Sequence, residues 1–114
     1  MSASSLLADY GRVRRQSVRL VEPLSDEDMA VQSMPDASPA KWHLAHTTWF
    51  FETFVLATFA KDHRPFHPTF GFLFNSYYNA AGERHARPLR GVLTRPTRAE
   101  VMTYRAAIAS SKGW

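Results

Sequence analysis

The chain contains no cysteine. That excludes disulfide staples and thiolate metal sites, and leaves any metal to histidine, carboxylate or backbone oxygen. No apolar run is long enough to cross a membrane. Met1 to Asp9 lacks a charged start followed by an apolar core, so no secretory leader is read there and a cytoplasmic location is expected. Internal repeats and low-complexity stretches are missing. So are the G-x-S-x-G elbow, the P-loop, the dinucleotide-binding glycine fingerprint and H-E-x-x-H, which takes away the sequence signatures of several enzyme classes.

What is present suits one small domain. The 114 residues are 45% apolar and 13% aromatic, enough for a packed core, and 21% charged, which is not a disordered composition. The net charge of +4 is unevenly placed. Between Glu83 and Arg105 lie six arginines (Arg84, Arg87, Arg90, Arg95, Arg98 and Arg105) against two acids, Glu83 and Glu100, so this stretch carries the whole excess. An anionic partner follows, either nucleic acid or a small carboxylate substrate.

Three main helices are read from spacing. The first runs from about Ser5 to Val21, with Leu6, Leu7, Tyr10, Val13, Ser17 and Leu20 or Val21 on one face and Arg12, Arg14 and Arg15 off it. Pro23 closes it, and Ser25-Asp26-Glu27-Asp28 reads as a capping box opening a short helix through Val31. The second has Ser38 as N-cap and Pro39 at the first helical position, and no later glycine or proline before about Ala60. Trp42, His46, Trp49, Thr53, Leu56 and Ala60 follow a 4-3-4-3-4 rhythm and form one stripe. The third opens at the capping box Thr97 to Glu100 and carries Val101, Tyr104, Ala107 and Ile108 to about Ser110 or Ser111. Asp62 to Pro96 is irregular, punctuated by proline and glycine, with one or two helical turns at Asn75 to Ala81. So long a connection is uncommon unless it has a job. The expected fold is an all-α helical bundle of three main helices plus a long irregular loop. A fourth helix is missing, and the aromatic stripe is partly exposed or covered by another chain, which gives a surface for self-association.

Five histidines are candidates for chemistry. His46 lies on the stripe between Trp42 and Trp49, where its ring nitrogens need partners: a metal, or a hydrogen bond from a neighbouring element. His43 is set off that direction by about 60°, toward the bundle edge. His63 and His67 are spaced like a helical ligand pair, but Pro65 between them and Pro68 after them make both loop residues. His85 sits in the arginine-rich loop as an exposed polar residue. In that loop, Asn75-Ser76-Tyr77-Tyr78-Asn79 precedes Arg84, Arg87 and Arg90. Guanidinium forks match carboxylates bidentately, so the stretch reads either as a carboxylate pocket or as a solvated basic loop. No nucleic-acid-binding motif accompanies it.

The run Ser38-Pro39-Ala40-Lys41-Trp42-His43-Leu44-Ala45-His46-Thr47-Thr48-Trp49-Phe50-Phe51-Glu52-Thr53 resembles the second helix of ergothioneine-biosynthesis sulfoxide synthases. Phe74-Asn75-Ser76-Tyr77-Tyr78-Asn79-Ala80-Ala81-Gly82-Glu83-Arg84-His85, Arg87-Pro88-Leu89-Arg90-Gly91 and Leu93-Thr94-Arg95-Pro96-Thr97 resemble the same family. The resemblance implies a DinB-like bundle and a non-haem iron, O2-dependent enzyme joining a cysteine-containing thiol (gamma-glutamylcysteine or cysteine) to hercynine. It implies His46 as one of three histidine ligands to Fe(II), and loop arginines that bind substrate carboxylates, with Arg84 and Arg87 matching best by spacing and Arg90 a rival. The family's other two ligands form an H-x-x-x-H pair after the third helix, and this sequence has no such pair after Thr97. The C-terminal domain, similar to formylglycine-generating enzymes, is also absent. The expectation is therefore a truncated DinB-like domain, inactive alone, that does not bind iron tightly. The alternatives are a non-catalytic binding module partnering a separately encoded remainder, and a small basic nucleic-acid-binding protein.

Overall fold

A computed structural model describes residues 3–76 and 83–111. Among them every regular element is helical: α1 (Ala3–Val21), α2 (Asp26–Met29), α3 (Ala40–Phe51), α4 (Ala57–Phe59), α5 (Phe70–Phe74) and α6 (Arg98–Ala109). A five-residue π-helical segment, Glu52–Leu56, joins α3 to α4, and Arg87–Val92 form a 3-10 helix. No helix among these residues is long and apolar enough to cross a membrane.

Both capping boxes form. Ser25 Oγ accepts from the Asp28 N–H while the Asp28 carboxylate takes the Ser25 N–H, and Thr97 and Glu100 do the same at α6. Each reciprocal cap satisfies two otherwise orphaned donors. The first short helix stops at Met29 rather than Val31. The start of α3 differs from expectation. Pro39 is its N-cap, with no side-chain hydrogen bond, and the Ser38 hydroxyl instead accepts from Arg90 Nη1 at 2.9 Å.

The core lies where α3 meets α6 and α5. Trp42, Leu44, Ala45, Trp49 and Leu56 pack with Phe70, Phe74, Val101, Tyr104 and Ile108, and Met29 of α2 joins them. Burying one such large apolar side chain is worth roughly 1.5–3 kcal/mol. The three from α6 therefore make the α3–α6 contact the principal one. Of the stripe, Trp42, Trp49 and Leu56 are buried, while His46, Thr53 and Ala60 are half-buried, so it is covered only in part within the chain. Exposed apolar residues are found at Phe59 and Val92 among others, and on α1, where Leu6, Leu7, Val13 and Leu20 are 53–73% exposed. Its inward face is Tyr10, Arg14, Ser17 and Val21. Arg14, expected off the face, donates from Nη2 to Thr48 Oγ1 at 2.9 Å.

The irregular connection is shorter than its punctuation suggests. Phe70-Gly71-Phe72-Leu73-Phe74 makes a helical turn that buries Phe70 and Phe74. Asn75 and Ser76 are not helical, and the rest of the expected turns at Asn75 to Ala81 lies outside the described residues.

Candidate functional site

The site is built where α3 packs against the end of α5. The last carbonyls of a helix have no partner within it. In α5 two side chains of α3 supply the donors: Trp42 Nε1 donates to the Leu73 carbonyl at 2.9 Å, and His46 Nδ1 donates to the Phe74 carbonyl at 2.6 Å. A carbonyl can only accept, so the proton is on Nδ1 and the Nε2 lone pair is left for another partner. No hydrogen bond to Nε2 occurs among the described residues. The imidazole stacks on Trp42, with ring centres 4.6 Å apart and planes 10° from parallel, and on Trp49 at 5.8 Å. Burial lowers the His46 pKa below its ordinary 6.5; the Phe74 hydrogen bond opposes this and Arg90 adds to it. His46 is therefore a neutral imidazole at neutral pH, oriented as a metal-binding histidine is oriented by its outer partner.

Arg90 comes from the 3-10 helix and lies across Trp42, its guanidinium carbon 3.6 Å from the ring centre. It is 3% exposed. Nη1 reaches Ser38, while Nε and Nη2 are buried with no acceptor among the described residues. Burial, then repulsion from Arg87 and Arg84, pushes its pKa down to about 10, so it keeps its charge at neutral pH. The backbone that presents it is pinned by Gln32. Gln32 Nε2 donates to the carbonyls of Ala37 and Arg87, both at 2.8 Å, and Oε1 accepts from the Gly91 N–H at 2.6 Å. A Cβ at Gly91 would fall 2.6 Å from that of Gln32, so only glycine allows this approach.

A cleft of about 380 Å³ opens between these groups, lined by Ser38, Trp42, His43, His46, Ser76, Arg87 and Arg90 among others. The Ser76 hydroxyl is buried without a partner among the described residues. Arg84 lines an adjoining cavity of about 570 Å³ that shares Asp36, Ser76 and Arg87 with the first. Among the sequence candidates, then, the structure brings His46, Arg87 and Arg90 to one cleft and Arg84 to its neighbour. Trp42 as a platform and Ser38 and Ser76 as lining were not singled out as site residues. Their signal was weak, because two serines and a core tryptophan read as a cap, a loop residue and packing.

Of the other histidines, His43 also lines the cleft and the rest lie elsewhere. His43 is exposed at the cleft's rim, its pKa lowered by burial and then by His46 and Arg90. His85 is half-buried rather than exposed, donating from Nε2 to the Leu89 carbonyl. His63 donates to Glu52, and His67 Nδ1 accepts from the Thr69 N–H. Neither His63 nor His67 is helical. Among the described residues no three His, Asp or Glu side chains gather as a metal site.

Residues 9–111 match the family profile of the DinB superfamily, nearly the whole chain. The chain belongs to the DinB superfamily. No curated protein shows a significant match to it. A helical DinB domain with an inward histidine and an arginine-lined cleft beside it can hold an anion and offer one neutral imidazole nitrogen. Both are available without rearranging the core.

Proposed function

We propose that this DinB domain is part of a non-haem iron, O2-dependent sulfoxide synthase of the ergothioneine type, which joins a cysteine-containing thiol to hercynine. The observation that carries the reading is the His46 tautomer: Nδ1–H held by the Phe74 carbonyl, Nε2 open, next to a cleft whose buried arginine has no ion-pair partner among the described residues.

The residues fit iron in part. His46 offers one nitrogen of the right tautomer, and no second and third ligand join it among the described residues. Stable ferrous sites of this kind draw on about three protein ligands, so the domain by itself does not make one. In this reading the other two histidines are supplied by an H-x-x-x-H pair that this sequence lacks after Thr97. Fe(II), when bound, supplies dioxygen activation. The chain's own residues do the rest of what is described: Arg90 and Arg87 hold the carboxylates of gamma-glutamylcysteine or cysteine, with Arg84 at the outer end. Stacking on Trp42 and the Ser38 contact fix the Arg90 fork, which reduces the ordering cost of binding.

The test combines the domain with a polypeptide carrying the H-x-x-x-H pair and the C-terminal domain, adds Fe(II), hercynine and gamma-glutamylcysteine, and measures sulfoxide. Product is expected, falling more than about 100-fold with His46→Ala, since even the outer partners of metal ligands carry 10–100-fold. Product that is unchanged by His46→Ala, or that forms without the domain, sinks the reading.

A further inference from the structure

A second cationic site lies on the far side of α3 from the cleft. We propose that the groove between α1 and α6 binds an amphiphilic carboxylate, its head on Arg14 and Arg105 and its apolar tail along Val18, Met102 and Ala106.

The groove has a volume of about 490 Å³, within the size range of small-ligand sites, and is open to solvent along one side. Its residues span Arg14 to Arg19 on α1, with Glu22 just past its end, and Met102 to Ala109 on α6, about 10 Å of helix at 1.5 Å per residue. That suits a short acyl chain lying along the helices.

Two charges in its wall are uncompensated. Arg105 is 5% exposed. Its Nη1 donates to the Leu44 carbonyl at 2.9 Å and to Thr47 Oγ1 at 3.2 Å, and its Nη2 to the Arg14 carbonyl at 3.4 Å. These acceptors are all neutral. Arg14 donates to Thr48 Oγ1 and lies over the Tyr10 ring, its guanidinium carbon 5.6 Å from the ring centre, and its Nη1 is buried without an acceptor among the described residues. Neither guanidinium has a carboxylate within ion-pair distance among the described residues. Glu22 lines the groove but pairs with neither. A buried cation beside a half-buried one, with no anion among the described residues, is costly, and a fold that keeps them gains when an anion arrives. Arg15 and Arg19, also on the wall, add to the field.

The floor decides the class of anion. Val18, Met102, Ala106 and Ala109 offer it no hydrogen-bonding side chain. A bare phosphate or acetate would leave that surface wet, whereas each methylene laid on it removes apolar area from water. This separates the groove from the Arg90 cleft, whose lining is polar and whose anion sits beside a neutral imidazole.

The experiment titrates decanoate, below its micellisation concentration, into the 114-residue chain and follows saturation by calorimetry and by NMR of the Met102 methyl. Saturable binding is expected, at least tenfold tighter than acetate, inorganic phosphate or 1-decanol. Arg14→Gln weakens it at least tenfold. Ala106→Trp, which fills the exposed groove without touching the core, does the same with the unfolding midpoint unchanged, and so covers the case in which Arg14→Gln fails to fold. Arg90→Met leaves decanoate binding unaltered. Equal binding of acetate and decanoate, binding indifferent to Ala106→Trp, or no saturation overturns the proposal.

Discussion

Two buried charged side chains flank the two ends of α3, and they are finished differently. Glu52, at the start of the π-helical segment, is saturated. Its Oε1 accepts from Tyr104 Oη at 2.6 Å, and Oε2 accepts from His63 Nε2 at 2.9 Å and from the Phe66 N–H at 2.8 Å. Burial, then the bond to Glu52, pushes the Tyr104 phenol far above its ordinary value, so it stays a donor. Arg90, at the other end, spends one nitrogen on Ser38 and leaves two without acceptors among the described residues. A saturated network fastens elements together: α3, the loop to Phe66 and α6 meet at Glu52. An unsaturated one keeps a valence for something that arrives later. The contrast separates structure from binding without any appeal to residue type, since both groups are charged and both are buried.

Three measurements can break or sharpen this contrast. The largest expected effect on stability is Glu52→Ala. Removing one partner of a buried, hydrogen-bonded cluster costs about 3–5 kcal/mol, read from the urea midpoint. A loss under about 1 kcal/mol would mean that the cluster is ornamental.

A smaller loss is expected on acidification. His46 and His43 have pKa values held below 6.5 in the fold, so the unfolded chain takes up their protons first. The stability they confer is present above pH 6.5 and is lost as the pH falls through the lowered folded values. Denaturant midpoints measured between pH 7.5 and 5 should decline, and His46→Gln should flatten part of the slope. A midpoint that rises toward pH 5 contradicts the neutral assignment of His46.

The smallest effect on stability is expected from Arg90→Met. Replacing an uncompensated buried cation by an apolar side chain of similar length should move stability by no more than about 1 kcal/mol, in either direction. Binding of cysteine or gamma-glutamylcysteine, followed at the Trp42 indole N–H by NMR, should nevertheless disappear. Stability that collapses together with binding would place Arg90 with Glu52, as a fastening.

The sequence spoke most clearly where a local rule has a single physical reading. Thr97 with Glu100 and Ser25 with Asp28 can do little but cap a helix. The 4-3 rhythm from Trp42 to Leu56 places a stripe whatever covers it. It was silent where tertiary partners decide. Arg14 and Arg105 look like solvated helix charges, and only the meeting of α1, α3 and α6 draws them inward. Ser38 has the composition of an N-cap and is taken by an arginine fifty-two residues later. Phe70 to Phe74 is too short for periodicity to distinguish a helical turn from a loop. At the site, His46 was legible by its place between two tryptophans, but its tautomer was not, because that depends on one backbone oxygen from another element.

That oxygen links two scales of the molecule. Helix α5 has five residues, too few to persist unaided. Its terminal carbonyls are closed by side chains of α3 rather than by a cap of its own. Displacing it by a few ångströms would release the His46 Nδ1 proton from Phe74, and the imidazole would be free to exchange its two nitrogens or turn over. The local folding of α5 and the bonding direction of one ring are thus a single cooperative event. Imidazole nitrogen shifts would report the state of a helix, and a strained α5 would surface first as a histidine of mixed tautomers.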